Sequence, residues 1–460
     1  MLSSRRAFAQ LPVPPKLPPS EAALLHPGDA QFDAYVPAFN SRTVLAPQLR
    51  ALCRTPQAIG VMVDWCRDYG VPFAVRGRGH CFEGFSQSSS VVIDTRPIRK
   101  VTVDSATKTA TIGAGASLGD IYIAAGAHGL AFPGGSCPTV GIAGHALGGG
   151  YGFLARPFGL ACDSVLSVDL IDPQGRALHA DRNHNPDLFW ACRGGGGGSF
   201  GVVTGFRLQL HSLKNVITFS INWRQLPPAR AAEVLKIWQH WAPHAPAAIT
   251  ANLVINRHPE GGINLHCAGQ SSGSLAELKR ELKALPAAPR ISPQPLIAAI
   301  NDFAGGVPGW IYASSLMKGK SDYVTAPLND DGLAMLMEQI NGGEDVYVIC
   351  DAYGGAISHL AADATAFAHR GGTLFSIQYA TSWSDPAQSP PRLAMLRRFY
   401  AAMRPYVSGG AYVNYCDIDL DDWPMAYWGR NLARLRRIKT AFDPDNVFQH
   451  RQSVPAAWSV

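Results

Sequence analysis

Between Leu130 and Gly152 the chain reads LAFPGGSCPTVGIAGHALGGGYG, eight glycines in one segment with few charges. Glycine serves where backbone turns with positive φ or approaches another group closely. So many together predict main chain wrapped tightly against a large ligand. Among them stand one thiol, Cys137, and one imidazole, His145. Upstream, Arg76-Gly77-Arg78-Gly79-His80 ends in a second nucleophile. Downstream, Gly194 to Gly198 is an unbroken glycine run. Such runs often form flexible linkers. Here DLFWACR and SFGVVT press apolar elements against both sides, which predicts a buried close approach instead.

Length and composition bound the rest. With 460 residues, 47% apolar and 16% charged, the chain predicts a packed protein of two domains or one elaborated domain. The net charge of +6 is scattered, apart from Arg430, Arg434, Arg436, Arg437 and Lys439. Their spacing fits a solvated helix face, so no nucleic-acid partner is implied. Nine cysteines without CxxC pairs predict neither a disulfide scaffold nor a zinc site, and most should be small buried hydrophobes. No run of about 18 apolar residues suggests a membrane span. Ser3-Ser4-Arg5-Arg6-Ala7-Phe8 looks like a twin-arginine signal, but QLPVPPKLPP follows where an apolar segment belongs, so a cytoplasmic location is favoured.

In order, the pattern predicts a Pro-rich start to about Glu21, a short strand after Arg42, a helix over Thr55 to Tyr69, and a strand from Pro72 to Arg76. Val91 to Asp94 reads as a buried strand, and Val101 to Val103 with Thr109 to Ile112 as a hairpin. Gly113-Ala114-Gly115-Ala116-Ser117-Leu118-Gly119 tempts a dinucleotide reading. Its third glycine falls one place late and no acidic residue follows, so a strand-to-helix turn is preferred. Val165 to Asp172 is a further strand, and Asp187 to Trp190 a short helix. Beyond about His211 helices are expected over Ala229 to Trp241, Ser274 to Leu285, Asp330 to Ile340 and Ala361 to His369. Strands are expected at Ile217 to Trp223, Ala251 to Asn256, Gly262 to Gly269, Asp345 to Asp351 and Thr373 to Tyr379. This mixture predicts an antiparallel sheet covered on one side.

RGRGHCFEGFS, FPGGSCPTVGIAGHALGGGYG, DLFWACRGGGGGSFGVVT, AYVNYCDIDL, YWGRNLARLRRIK and FDPDNVFQHRQS together closely resemble the berberine-bridge-enzyme-like branch of FAD-linked oxidases. The resemblance covers nearly the whole chain. It implies an α+β fold with a PCMH-type FAD-binding domain over about 1–212 (core about 45–212), a substrate domain over 213–410, and a C-terminal segment over 411–460 returning to the first. It also implies FAD attached twice, through His80 to the 8α-methyl and through Cys137 to ring carbon 6. Cofactor contacts are carried over to Arg76, Gly77, Arg78, Gly79, Gly135, Thr139, Val140, Gly141, Gly144, His145, Tyr151, Gly201 and Val203. His145 falls near the flavin's polar side; a helix-start packing role is the alternative. Valine at 140 resembles the oxidases, which implies oxygen as acceptor and hydrogen peroxide as product.

Removing hydride from a CH–OH group needs a base for the hydroxyl proton. The resemblance assigns it to Tyr415, with Tyr412 in support. Residues three apart on a strand face opposite ways, so the pair shares a site only if the backbone bends. A tyrosine titrating near about 10 also needs positive charge or hydrogen bonding to lower it. Gln378 resembles a cleft-lining position, and Tyr353, Trp383 and Tyr347 are aromatic candidates beside it. Two departures stand out: Phe82 where relatives carry tyrosine, and Arg78 where glycine is common. Phe82 puts a standard sugar specificity in doubt. The expected partners are a small molecule and O2. The implied reaction oxidises a sugar hemiacetal or related alcohol. Alternatives are a tailoring oxidase of a secondary metabolite, a flavin dehydrogenase with another acceptor, a ligand-binding flavoprotein without turnover, or a nicotinamide dehydrogenase.

Overall fold

The computed structural model describes residues 10–306, 314–343 and 345–457, so the Arg5-Arg6 pair lies outside the described residues. The first lobe opens with Leu49–Cys53, helix Pro56–Asp68 and strand Phe73–Arg76. The Thr55 hydroxyl accepts the Ala58 N–H and Pro56 takes the first turn, a pairing that sets the helix start. Both strands run parallel to Val91–Asp94, and Ala22–Leu25 adds an antiparallel edge. Every residue of Val91–Asp94 is buried, as a strand covered on both faces requires. Arg76 ends its strand, so residues 77–82 form the loop that leaves the sheet.

A second, antiparallel sheet orders Val101–Asp104, Thr109–Gly113, Val202–Gln209, Val165–Ile171 and Ala177–Ala180. Thr109–Gly113 passes into helix Leu118–Gly126 through a capping box of Ser117 and Asp120. The glycines at 113 and 115 thus serve a strand-to-helix turn. The run at 194–198 is buried structure, not a linker. Gly194 and Gly196 both donate to the Leu147 carbonyl at 2.9 Å, and a Cβ on Gly194 would stand 2.2 Å from the Phe367 nitrogen.

The second lobe is a seven-stranded sheet with every neighbouring pair antiparallel. Its order is Arg290–Pro295, Asn215–Leu226, Ile263–Ser271, Ile249–Arg257, Val346–Ala352, Phe375–Trp383 and Leu316–Val324. Helices Pro228–Trp241, Leu275–Glu281, Asp330–Gly342 and Ser389–Met403 pack on one face. Strand alternation sorts the side chains: Val346, Val348, Cys350 and Ala352 join this helix-covered core, while Tyr347, Ile349 and Asp351 face the other way. The molecule is therefore α+β. Among the described residues no helix is long and apolar enough to cross a membrane.

Several elements differ from expectation. Residues 361–369 form no helix; the short helix is Ala356–His359. The alanine-rich stretch instead gives the Ala366 and Phe367 N–H groups to the Trp190 and Arg193 carbonyls, so tertiary contacts override helix propensity. Strand Leu316–Val324 does not read as a strand because it carries Lys318 and Lys320, both buried against Asp417 and, for Lys318, Glu83. Helices Leu296–Phe303 and Ser389–Met403 have no counterpart among the expected elements. Within the basic helix Leu432–Phe442, Lys439 is not solvated. It is buried, paired with Asp443, and donates to the Ser199 and Phe448 carbonyls.

Residues from 411 onward return to the first lobe, where Ala411, Tyr427, Trp428, Leu435 and Val454 share a core with residues of 110–210. Arg156 bridges the lobes. It is fully buried, and its guanidinium donates to the carbonyls of Pro243, Ala245, Ile249 and Tyr353.

Candidate active site

A cavity of about 520 Å3 runs between the first lobe and the open face of the seven-stranded sheet. The loop after Arg76 and the loop before helix Ile142–Leu147 meet at one end. There the Thr139 hydroxyl lies 3.0 Å from His80 Nε2 and 3.3 Å from Cys137 Sγ, so one side chain links the two nucleophiles. His80 stacks on Phe39 with centroids 4.7 Å apart. Burial, then the charges of Arg76 and Arg78, lower its pKa to about 4, which keeps the imidazole neutral and nucleophilic at pH 7. Arg78 does not carry free charge into the cavity, because it donates to the Gly115 carbonyl and pairs with Asp120 at 2.8 Å.

His145 accepts the Gly135 N–H on Nε2 at 3.1 Å, which leaves Nδ1 as the protonated nitrogen of a neutral ring. Burial lowers its pKa to about 4. The ring lines the cavity and also fixes the glycine loop. Many glycines of this segment face protein rather than open space: a Cβ on Gly148 would meet Asn414 at 2.0 Å, and one on Gly152 the Gly134 carbonyl at 1.9 Å. Gly77 and Gly144 differ, for nothing stands within 4 Å of a Cβ there, and both line the cavity.

Tyr415 and Tyr412 line the same cavity. The backbone bends between them in a 3-10 turn, Val413–Tyr415, which brings their rings edge to face at 4.8 Å. Their environments differ. The Tyr412 oxygen accepts three N–H groups, from Gly150, Tyr151 and Asn414, at 2.9, 3.2 and 3.0 Å. Burial nevertheless pushes this phenol up to about 12. Tyr415 stacks nearly parallel on Phe82, 5.5 Å apart. Its phenol is pushed well above the usual range by burial, then by Asp351 and the neighbouring phenols of Tyr412, Tyr353 and Tyr347.

Asp351 is the residue sequence reasoning missed. It is 4% exposed, accepts Asn252 Nδ2 at 2.7 Å, and pairs with no cation among the described residues. Burial lifts its carboxyl to about 7. The available signal was a lone carboxylate in the apolar strand VYVICDA, in register with Tyr347 and Ile349.

Gly79, Phe82, Gly135, Val140, Gly141, Tyr151, Gly201, Val203 and Gln378 also line the cavity. Four sequence candidates do not, and Thr139 is one of them, held behind the cavity wall by its contacts with His80 and Cys137. Arg76 is buried beneath it and donates to the Pro37 carbonyl. Tyr353 is fully buried behind Tyr151, stacked at 5.4 Å. Trp383 lies at a strand end, where its indole N–H donates to Ser389. Tyr347 does reach the cavity. Among the described residues no group of His, Cys, Asp and Glu could hold a metal ion.

Residues 47–181 match the FAD binding domain family, and residues 411–455 the berberine and berberine like family. The FAD-linked oxidoreductase YgaK of Bacillus subtilis is 34% identical over 89% of this chain and 91% of its own. Monolignol oxidoreductase AtBBE-like 13 of Arabidopsis thaliana is 32% identical over 83% of this chain and 78% of its own. The solved structure of Physcomitrella patens BBE-like 1 superposes with a TM-score of 0.87 at 32% identity, covering 95% of this chain and 97% of that one. FAD fits the residues present: the open glycine faces at 77 and 144 leave room for a large flat ligand, and main chain without side-chain bulk surrounds them. A PCMH-type FAD-binding fold, two matching family domains and whole-length relatives place this chain in the berberine-bridge-enzyme-like family of FAD-linked oxidoreductases.

Proposed function

We propose that the enzyme is an oxidase of a CH–OH group, with FAD bonded to both His80 and Cys137 and oxygen as the final acceptor. The observation that carries this reading is the single Thr139 hydroxyl within reach of both nucleophiles, beside a cavity that Asp351 and Tyr415 also line. Bound FAD supplies the two-electron acceptor for hydride and, with oxygen, the route to hydrogen peroxide. Asp351 takes the proton. With its carboxyl near 7 and no cation paired to it among the described residues, it is the cavity group best matched to accept a proton at neutral pH. Tyr415, held protonated by burial, orients the substrate hydroxyl. Gln378 and Asn252 offer further polar contacts on the same sheet face.

Phe82, Met317 and Ile349 line the substrate end and favour an alcohol carried on an apolar or aromatic frame over a free sugar. The relative named a monolignol oxidoreductase fits that preference. Two measurements test the proposal. After acid precipitation the yellow colour stays with the protein pellet in the native enzyme and in His80→Ala or Cys137→Ala, and leaves it only in the double variant. Peroxide release is then assayed across phenolic allylic alcohols, apolar secondary alcohols and oligosaccharides. Colour wholly in the supernatant of the native enzyme refutes the double attachment, and substrate reduction of the flavin without peroxide refutes the oxidase.

A further inference from the structure

Two thiols meet beside the site, and neither has a part in the chemistry above. Cys81 follows His80, and Cys416 follows Tyr415; their Sγ atoms are 3.6 Å apart although 335 residues separate them in sequence. Both line the cavity, and Cys81 is half-buried while Cys416 is 6% exposed. The Phe85 N–H donates to Cys81 Sγ at 3.2 Å, a contact that favours a thiolate there. Of the other seven cysteines six are buried, and Cys137 faces Thr139.

We propose that Cys81 and Cys416 form a peroxide-responsive dithiol that closes to a disulfide, tying the loop of His80 to the segment of Tyr415. The source of peroxide rests on the oxidase reading above. The Cys81 thiolate attacks one peroxide oxygen, the O–O bond breaks, and sulfenic acid and hydroxide form. Cys416 sulfur then displaces hydroxyl from Cys81 sulfur, giving the S–S bond and water. In sum two thiols lose two protons and two electrons, and one peroxide becomes two waters. The division of labour follows the hydrogen bond between them, which holds the Cys81 thiol below its ordinary value and, with burial, pushes Cys416 up. Oxidation therefore starts at Cys81, and Cys416 is the resolving thiol that stops it short of sulfinic acid. Closure needs only that the two sulfurs approach from van der Waals contact, so the Phe82 to Tyr415 stack beside them is retained and pinned.

The test uses holoenzyme, treated with added hydrogen peroxide or left to turn over substrate in air, then quenched, denatured in an alkylating agent and mapped without reduction. The expected product is a cross-linked peptide pair joining Cys81 to Cys416, with the loss of two alkylatable thiols per chain, both recovered by dithiothreitol. In Cys416→Ser the same treatment carries Cys81 on to sulfinic acid. The proposal is overturned if both thiols in the native enzyme stay alkylatable after added peroxide, or if Cys81 over-oxidises while Cys416 remains free. Closure with added peroxide but none during turnover upholds the dithiol and counts against the oxidase.

Discussion

At the scale of single residues, Asp351 sets the terms. Its carboxyl, lifted by burial, binds a proton more tightly in the folded chain than in the unfolded one. Its contribution to stability is therefore complete below the unfolded value of about 4 and is lost as pH rises through about 7. Asp351→Asn removes that loss, so the variant gains on the native enzyme between pH 5 and pH 8 by on the order of 1–3 kcal/mol, read from denaturant midpoints at each pH. The same change lowers kcat/KM by about 100-fold or more and removes the limb of its pH profile near 7. An unchanged profile assigns the base elsewhere. The two tyrosines separate in the same way. Tyr415→Phe lowers turnover by about tenfold or more with little change in melting temperature. Tyr412→Phe strips the acceptor from three N–H donors and costs stability, about 2 kcal/mol, before it costs anything else. If Tyr412→Phe is as stable as the native chain, those contacts do not hold the turn.

At the scale of elements, the glycine segments divide into two kinds, and substitution tells them apart. Gly194 sits at φ +118° with the Phe367 backbone against it, so Gly194→Ala has no room and should cost about 3 kcal/mol or prevent folding. Gly144 lies inside helix Ile142–Leu147, where alanine is the better helix former, and its face is open. Gly144→Ala should fold with its melting temperature intact and lose visible flavin absorbance per protein, because the added methyl enters the cavity. Normal flavin content in Gly144→Ala would remove that helix face from the cofactor site.

At the scale of the whole molecule, Arg156 decides whether the two lobes behave as one body. It reaches from the first lobe into the second and satisfies four carbonyls with no acidic partner among the described residues. Arg156→Met keeps the volume and leaves those carbonyls unpaired, at a cost of about 3 kcal/mol or more. Calorimetry should then resolve two transitions where the native enzyme shows one. A single transition at the native temperature means the lobes are joined by other contacts. The cavity lies across this junction, so separation of the lobes also lowers substrate affinity while the flavin stays on its own lobe.

Local order was set by the sequence itself. The capped helix after Thr55, the buried strand at Val91, the turn at Gly113 to Ser117 and the period-two strands of the second lobe rest on propensities and alternation that act over a few residues. His80, Cys137 and the tyrosine pair were marked by the resemblance of their motifs to the family, since a lone histidine or cysteine reads locally as a packing residue. Tertiary structure alone decided the rest. It bent Val413–Tyr415 so that two tyrosines share a site, and exposed Asp351 to a cavity. It hid Lys318 and Lys320 in a strand by supplying Asp417 and Glu83, and set Cys81 against Cys416. The reason is common to all four. Whether a charge or a thiol lies buried, paired or poised depends on partners that the chain brings near only when it folds, and no local pattern records them.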